Sequence, residues 1–344
     1  MSEAAFPGWP TILGALADGV DLGTDQAFGA LREVLAGQAS SAQIAAFIVA
    51  LRLKGETVAE LTGLVRAMLD AAEPLSLPAD AIDIVGAGGV PFRRQHALNV
   101  STMACFVAAG AGAVVCKHGN RRASSTSGSF DLLEALGIEV EQTSQQLSAT
   151  VAQVGLGFAF ARTFHPAMRH AAPVRAELGI PTVFNILGPL SHPGRVTRQV
   201  IGVGDPGTAD LMAGVLAASG SQRAMVVTGH AGLDELSLTG PSRVLDLDDG
   251  VMTEREIAPT DVGLAVCEPG ELVGGDPVDN ARIAEAIFAG SETGPRRDIV
   301  ALNAGAGLVV AGLAPDLGAG VQAALAAIAD GRARQALERL RANS

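Results

Sequence analysis

Apolar side chains recur at helical spacing through the first part of the chain. Ile12, Leu13 and Leu16 are followed by Leu31, Val34 and Leu35, then by Ile44, Phe47, Ile48 and Leu51, then by Leu61, Leu64, Val65, Met68 and Leu69. Breaks at Asp18-Gly19, Gly37-Gln38 and Lys54-Gly55 divide this stretch into about four short helices. Pro74 and Pro78 mark a linker, and from Asp80 the texture changes. Short apolar runs now end in glycine loops and lead into Ala-rich helical stretches: AIDIV before GAGG, AVVC before KHGN, then FAFA, TVFNILG, RQVIGVG and AMVVTG. This alternation predicts βαβ units and an α/β fold with a mostly parallel central sheet flanked by helices, beside a small helical domain. Ligands of such sheets sit at the carboxyl ends of the strands. The uncharged run from Ile299 to Pro315 is expected in the core, and the tail GRARQALERLRA as a solvated surface helix.

At 344 residues the chain is long enough for two domains, by a prior of roughly 150 residues each. Its 36 acidic against 24 basic side chains give a net charge of -12, which speaks against general binding to nucleic acid or to an anionic membrane. Aromatic residues make up 3%, with no Tyr and the single Trp9, so platforms for stacking bases are scarce. Cys105, Cys116 and Cys267 lie far apart, which suggests neither a disulfide framework nor a zinc knuckle and points to a reducing compartment. The opening MSEAAFPGWP shows no basic region followed by an apolar one, so the expectation is a cytoplasmic protein without a membrane span.

Four constellations carry candidate chemistry. Gly86-Ala87-Gly88-Gly89 follows a predicted strand and leads towards Asn99-Val100-Ser101-Thr102 at a helix start, where free amides, hydroxyls and the helix dipole suit a phosphate. Pro91 breaks the dinucleotide pattern and no G-K-[ST] follows, so taken alone this loop is as well explained by a tight, ordinarily capped turn. Lys117-His118-Gly119-Asn120-Arg121-Arg122 forms a local positive island before Ser124-Ser125-Thr126-Ser127-Gly128-Ser129 opens another helix, and two adjacent anion traps suggest a polyphosphate. Asp234-Glu235, beyond the apolar run at 225–227, suits Mg²⁺, a hard cation that takes oxygen ligands and bridges to phosphates. The segment His165-Pro166-Ala167-Met168-Arg169-His170 lacks zinc spacing, so both histidines read as satisfied side chains. Arg175 could hold a carboxylate in a bidentate pair or serve a structural ion pair.

In this order the blocks resemble the anthranilate phosphoribosyltransferase family. Its pattern of G-T-G-G-D, N-[IV]-S-T, K-H-G-N-R, S-S-x-S-G-S, F-H-P-A-M, P-V-R, F-N-x-L-G-P-L and G-L-D-E is matched almost end to end, and QIAAFIVALRLKGET is similar to its helical domain. The resemblance implies a helical domain of residues 1–76 with about 172–193, an α/β domain of 77–171 with 194–344, and homodimers paired through the helical domains. It implies transfer of the phosphoribosyl group of phosphoribosyl pyrophosphate (PRPP) to anthranilate, with Mg²⁺ as cofactor, in tryptophan biosynthesis. By similarity Gly86, Gly88, Gly89, Asn99, Ser101, Thr102, Lys117, Asn120 and Ser129 bind PRPP, while His118, Asn120 and Arg175 handle anthranilate. Ser101, Asp234 and Glu235 are the implied metal ligands. The chain departs from the pattern at Ala87 and Val90, where the family has Thr and Asp, at Thr126, where many members have Lys, and in a lengthened loop whose Arg93 and Arg94 are candidate phosphate contacts. A phosphoribosyltransferase with another aromatic acceptor and a non-catalytic binding protein of this fold stand as alternatives.

Overall fold

The computed structural model of the protein describes residues 6–88, 98–121 and 126–344; Gly89, Val90, Arg93, Arg94, Arg122, Ser124 and Ser125 lie outside the described residues. Four helices open the chain, as the apolar spacing predicts: α1 (Trp9–Ala17), α2 (Thr24–Leu35), α3 (Ser41–Lys54) and α4 (Val58–Asp70). Two of their starts are capping boxes, in which a hydroxyl and a side chain three residues on satisfy each other's free amides. The Ser40 hydroxyl accepts from the Gln43 amide at 3.3 Å while Gln43 accepts from the Ser40 amide at 2.8 Å, and Thr57 and Glu60 repeat the exchange. Glu60 does more than cap. Wholly buried, its carboxylate accepts from the Leu22 amide at 2.9 Å and from the Lys54 ammonium at 3.0 Å, so one side chain ties α4 to the end of α3 and to the α1–α2 connection.

The remainder alternates strands and helices. In order come β1 (Ile82–Gly86), α5 (Val100–Gly110), β2 (Val115–Gly119), α6 (Ser129–Ala135), α7 (Ser144–Val154), β3 (Leu156–Phe160), α8 (Ala161–Phe164), α9 (Ala172–Leu178), α10 (Val183–Leu190), β4 (Arg198–Gly202) and α11 (Pro206–Ala218). Then follow β5 (Arg223–Thr228), β6 (Ser242–Asp248), β7 (Val251–Ile257), α12 (Pro277–Phe288), α13 (Pro295–Val310), α14 (Leu317–Ala329) and α15 (Arg332–Asn343). The seven strands form one sheet in the order β3-β2-β1-β4-β5-β6-β7. The first five in this order run parallel, β6 runs antiparallel to β5, and β7 runs antiparallel to β6. Strand order reverses between β1 and β4, the place where open α/β sheets leave a crevice.

Alternation along β1 divides the core between the two faces of the sheet. Ile82 and Ile84 face a cluster with Met103 and Phe106 of α5 and with the buried α13, whereas Val85 faces the side covered by α4, α10 and α11. The apolar run containing Asn303 is therefore core, as expected, and α15 packs Ala333, Ala336, Leu337 and Leu340 inward with its charges outside. One expectation fails. TVFNILG, grouped with the strand-like runs, forms α10, because a short apolar run fits either period and here Val183, Phe184, Leu187 and Leu190 pack at helical spacing on α3, α4 and α11. The preceding α9 also packs on α3, so the segment between β3 and β4 joins the N-terminal helices.

Removing the Glu60 carboxylate would leave the Leu22 amide unpaired and the Lys54 ammonium, whose side chain is only 6% exposed, with the exposed Asp21 as its remaining carboxylate. Glu60→Ala is expected to lower unfolding free energy by about 3 kcal/mol in urea titrations. Glu60→Gln, which retains an acceptor for the amides, is expected to cost less.

Candidate active site

Two adjacent strands end in glycine side by side, since Gly86 of β1 pairs in register with Gly202 of β4. The turn carrying Asp234 lies directly across them. A Cβ at Gly86 would stand 2.6 Å from Asp234 Oδ2, and one at Gly202 would stand 1.8 Å from the Asp234 carbonyl, so only glycine admits the turn at this depth. Asp234 Oδ2 accepts from the Gly88 amide at 2.9 Å, which joins the first glycine loop to the acidic pair. Glu235 is buried beside it, and Asn303 of α13 fixes the next residue by accepting from the Leu236 amide and donating to the Leu236 carbonyl, both at 3.0 Å.

The other predicted turn is built against the first. Asn99 precedes α5 without capping it, contrary to the ordinary-capping alternative; its side chain crosses instead to the second turn, accepting from the Ser127 hydroxyl at 2.8 Å and donating to the Ser127 carbonyl at 3.1 Å. The Ser129 hydroxyl donates to the Asn120 carbonyl at 3.0 Å, and a Cβ at Gly119 would meet that hydroxyl at 2.6 Å. Ser101 lies half-buried in the first turn of α5, while the neighbouring Thr102 is buried.

The positive island expected at 117–122 is not what the described residues form. Lys117 is 2% exposed and donates from Nζ to the Ile84 carbonyl at 2.7 Å, His118 is held neutral by burial, and Arg121 pairs with Glu134 and Glu141 away from the turn. Alternating strand geometry is the reason, since successive residues of β2 point to opposite faces of a sheet that is covered on both. Beneath Lys117, burial pushes the Asp83 carboxyl up to about 7 against the opposing pull of the lysine.

A cavity of about 680 Å³ opens at the carboxyl ends of β1, β2 and β3; it reaches the ends of both turns, while Gly88, Asn99, Ser101, Thr102, Lys117, Ser129, Asp234 and Glu235 are not in its lining. Gly86, Ala87, His118, Gly119, Asn120 and Arg175 line it. Met68 of α4 and Phe184, Asn185, Gly188 and Pro189 of α10 supply the wall contributed by the helical side. The Arg175 guanidinium faces the Phe184 ring, 5.1 Å from its centroid, and no carboxylate acts on it among the described residues, which rejects the structural ion pair. Burial alone pulls its pKa down. An unpaired guanidinium in an apolar wall has its full bidentate capacity left for a ligand carboxylate. His165, expected to be a satisfied interior side chain, bonds through Nε2 to the Ser191 carbonyl at 2.9 Å and also borders the cavity.

Three imidazoles meet behind this wall. His118 lies 5.1 Å from His165 and 5.8 Å from His192, centroid to centroid. Desolvation lowers all three, His165 and His192 to about 4, so the cluster is neutral near pH 7. The Gly188 carbonyl, 3.2 Å from His118 Nδ1, can only accept, which places the proton on Nδ1 and leaves Nε2 a buried lone pair without a partner. His192 and the Phe184 face were not singled out in the sequence, although F-N-x-L-G-P-L carries the latter. Ser101, Asp234 and Glu235 present oxygen donors only, which fits Mg²⁺. Among the described residues no group of three or more His, Cys, Asp and Glu side chains could hold a metal by itself.

The unfolded chain protonates histidine below about 6.5, whereas folded His192 resists until about 4, so stability is complete above the former value and falls as pH drops between the two. Asp83 titrates in the opposite sense, and its contribution is shared by any variant at the histidine cluster. His192→Asn removes one of the titrating imidazoles. On going from pH 7 to pH 5 the wild type is expected to lose about 2 kcal/mol more stability than this variant, read from urea midpoints at the two pH values.

Two family domains match the chain: the helical bundle domain of a glycosyl transferase family over residues 10–72 and the a/b domain of a glycosyl transferase family over residues 78–334. The anthranilate phosphoribosyltransferase of Nocardioides sp. is 49% identical over 336 residues, spanning 96% of this chain and 97% of that protein. That of Roseiflexus sp. is 47% identical over 94% of each chain. Among solved structures, the anthranilate phosphoribosyltransferase of Thermus thermophilus superposes with a TM-score of 0.91 at 43% identity, covering 96% of this chain and 98% of the other. The Saccharomyces cerevisiae enzyme in complex with PRPP and Mg superposes with a TM-score of 0.88 at 28% identity over 97% of both chains.

Proposed function

The chain belongs to the glycosyl transferase family that includes the anthranilate phosphoribosyltransferases, and from that premise we infer that it transfers the 5-phosphoribosyl group of PRPP to the amine of anthranilate, releasing pyrophosphate, with Mg²⁺ as cofactor. One observation carries the reading of the site. A single cavity is lined at once by the ends of two phosphate-type turns, Gly86-Ala87 and Gly119-Asn120, and by the carboxylate-seeking Arg175.

The proposed division of labour follows from this placement. Gly86, Gly88, Asn99, Ser101, Thr102, Asn120 and Ser129 are assigned to PRPP, with the Gly88 amide and the Ser129 hydroxyl leaving Asp234 and the Asn120 carbonyl to reach it, and Asp234 and Glu235 with Ser101 are assigned to the metal. Gly89, Arg93 and Arg94 are assigned to the same substrate on the sequence pattern alone. Lys117 is assigned as well, and engaging a phosphate requires its ammonium to leave the Ile84 carbonyl. When bound, Mg²⁺ supplies positive charge to the leaving pyrophosphate. As the C1–O bond breaks and C1 gains oxocarbenium character, the turns held by the 88–234 and 99–127 hydrogen bonds present their remaining donors to the growing negative charge. The anthranilate carboxylate is assigned to Arg175 and the ring to the Phe184 face, with His118 in the wall beside them. Positioning rather than a strong base supplies the rate.

We further propose that the helical unit is residues 1–76 with about 172–193 and that the protein works as a homodimer paired through it, in the cytoplasm, within tryptophan biosynthesis. Exposed Val20, Leu53 and Ile180 on that unit, with Leu53 at 82%, support the pairing. The three cysteines are free, in keeping with a reducing compartment, and no described helix is long and apolar enough to cross a membrane.

Anthranilate fluorescence is expected to decline on mixing with PRPP only when Mg²⁺ is present; no decline at high enzyme and high PRPP rejects the reading. Arg175→Ala is expected to raise KM for anthranilate by about tenfold to a hundredfold while KM for PRPP stays nearly constant, as loss of one charged bidentate contact implies. Steady-state kinetics with each substrate varied in turn checks this. Asp234→Asn combined with Glu235→Gln is expected to shift the Mg²⁺ activation curve to concentrations about tenfold higher, since two anionic ligands are replaced by neutral ones. An unchanged curve contradicts the metal assignment.

A further inference from the structure

We propose that Asn280, on α12 and outside every motif of the site, is a positioning residue for PRPP: its side-chain amide bolts the two phosphate-type turns together at a fixed separation. The proposal rests on the reading of those turns given above.

Asn280 has no solvent exposure. Its Nδ2 donates to Asn99 Oδ1 at 2.8 Å, and its Oδ1 accepts from the Gly275 amide at 2.9 Å. The same Asn99 oxygen accepts from the Ser127 hydroxyl at 2.8 Å, so both of its lone pairs are engaged, one towards the second turn and one towards α12. The second turn is held from the other side as well, because the Thr126 hydroxyl donates to the Gly275 carbonyl at 3.3 Å. Asn280 thus stands where the first turn, the second turn and the loop before α12 converge, and α12 packs on α6, the helix that the second turn opens.

Burying an amide costs free energy unless its donors and acceptors are met, so an apolar residue would serve better if α12 needed only packing. The apolar stripe of α12 continues from this position through Ala284, Ile287 and Phe288, at intervals of four, three and one, and Asn280 is the polar break in it. A substrate with anionic groups on both turns is gripped only if their spacing is preset. A network bridging them makes that spacing a property of the free protein and not something binding must impose.

Asn280→Asp tests this with no change of size. It keeps the acceptor for the Gly275 amide and replaces the donor to Asn99 by an oxygen. The Kd for PRPP with Mg²⁺, by titration calorimetry, is expected to rise about tenfold, as is KM for PRPP, while KM for anthranilate and kcat at saturating PRPP change less than twofold. Ser127→Ala, which removes the hydroxyl on the other side of Asn99, is expected to show the same split and serves where Asn280→Asp does not fold. Equal rises in both KM values, or an unchanged Kd for PRPP in a folded variant, overturn the proposal. Wild-type protein that binds PRPP but leaves anthranilate unconsumed sinks the acceptor assignment and leaves the calorimetric comparison valid; wild-type protein that does not bind PRPP sinks both.

Discussion

The site depends on one steric constraint, the absence of a side chain at the ends of two neighbouring strands. Gly86 and Gly202 sit opposite each other in register, and the Asp234 turn occupies the space their Cβ atoms would fill. That contact brings a carboxylate from beyond β5 onto the loop after β1, across the point where strand order reverses. A methyl group at Gly202 would meet the Asp234 carbonyl at 1.8 Å and lift the turn, and one at Gly86 would displace the Asp234 carboxylate that accepts from the Gly88 amide. Asn303, planted in the apolar helix α13, then sets the height of the turn by pairing with the backbone of Leu236 on both edges.

Charge in this site is placed by burial more than by composition. The chain is acidic overall, and the basic cluster expected to offset this locally is dispersed: Lys117 beneath the sheet end, His118 neutral, Arg121 in surface pairs. What faces the cavity is a set of oriented dipoles and the side chains of Arg162, Arg169 and Arg175, of which Arg175 stacks on Phe184 and has no carboxylate acting on it among the described residues. The histidine cluster follows the same rule, since desolvation keeps His118, His165 and His192 neutral near pH 7.

Much of this was legible from the residues alone, for identifiable reasons. The four opening helices follow from their apolar period and from capping pairs such as Thr57 and Glu60, which act within a few residues of one another. The glycine turns, the acidic pair and Arg175 stood out as residue types suited to an anion, a metal and a carboxylate, yet taken singly they had ordinary structural explanations, and their roles came from the family resemblance of the whole series. TVFNILG was misread as strand-like because so short a run does not distinguish a period of two from one of 3.6 when most of its side chains are apolar. Asn280 and Asn303 gave no more signal than a polar break in an apolar stripe.

Sequence determined what was local: element type where a period is long enough, turn chemistry, and the inventory of groups able to hold phosphate, metal and carboxylate. Tertiary structure decided what depends on distance between segments far apart in the chain. It turned Lys117 inward and left Arg175 unpaired, put the proton of His118 on Nδ1, and laid Asp234 over Gly86 and Gly202. The physical reason is that hydrogen-bond partners and desolvation belong to a place in the folded molecule, and residues 146 positions apart, such as Gly88 and Asp234, come to share one only when the sheet has formed.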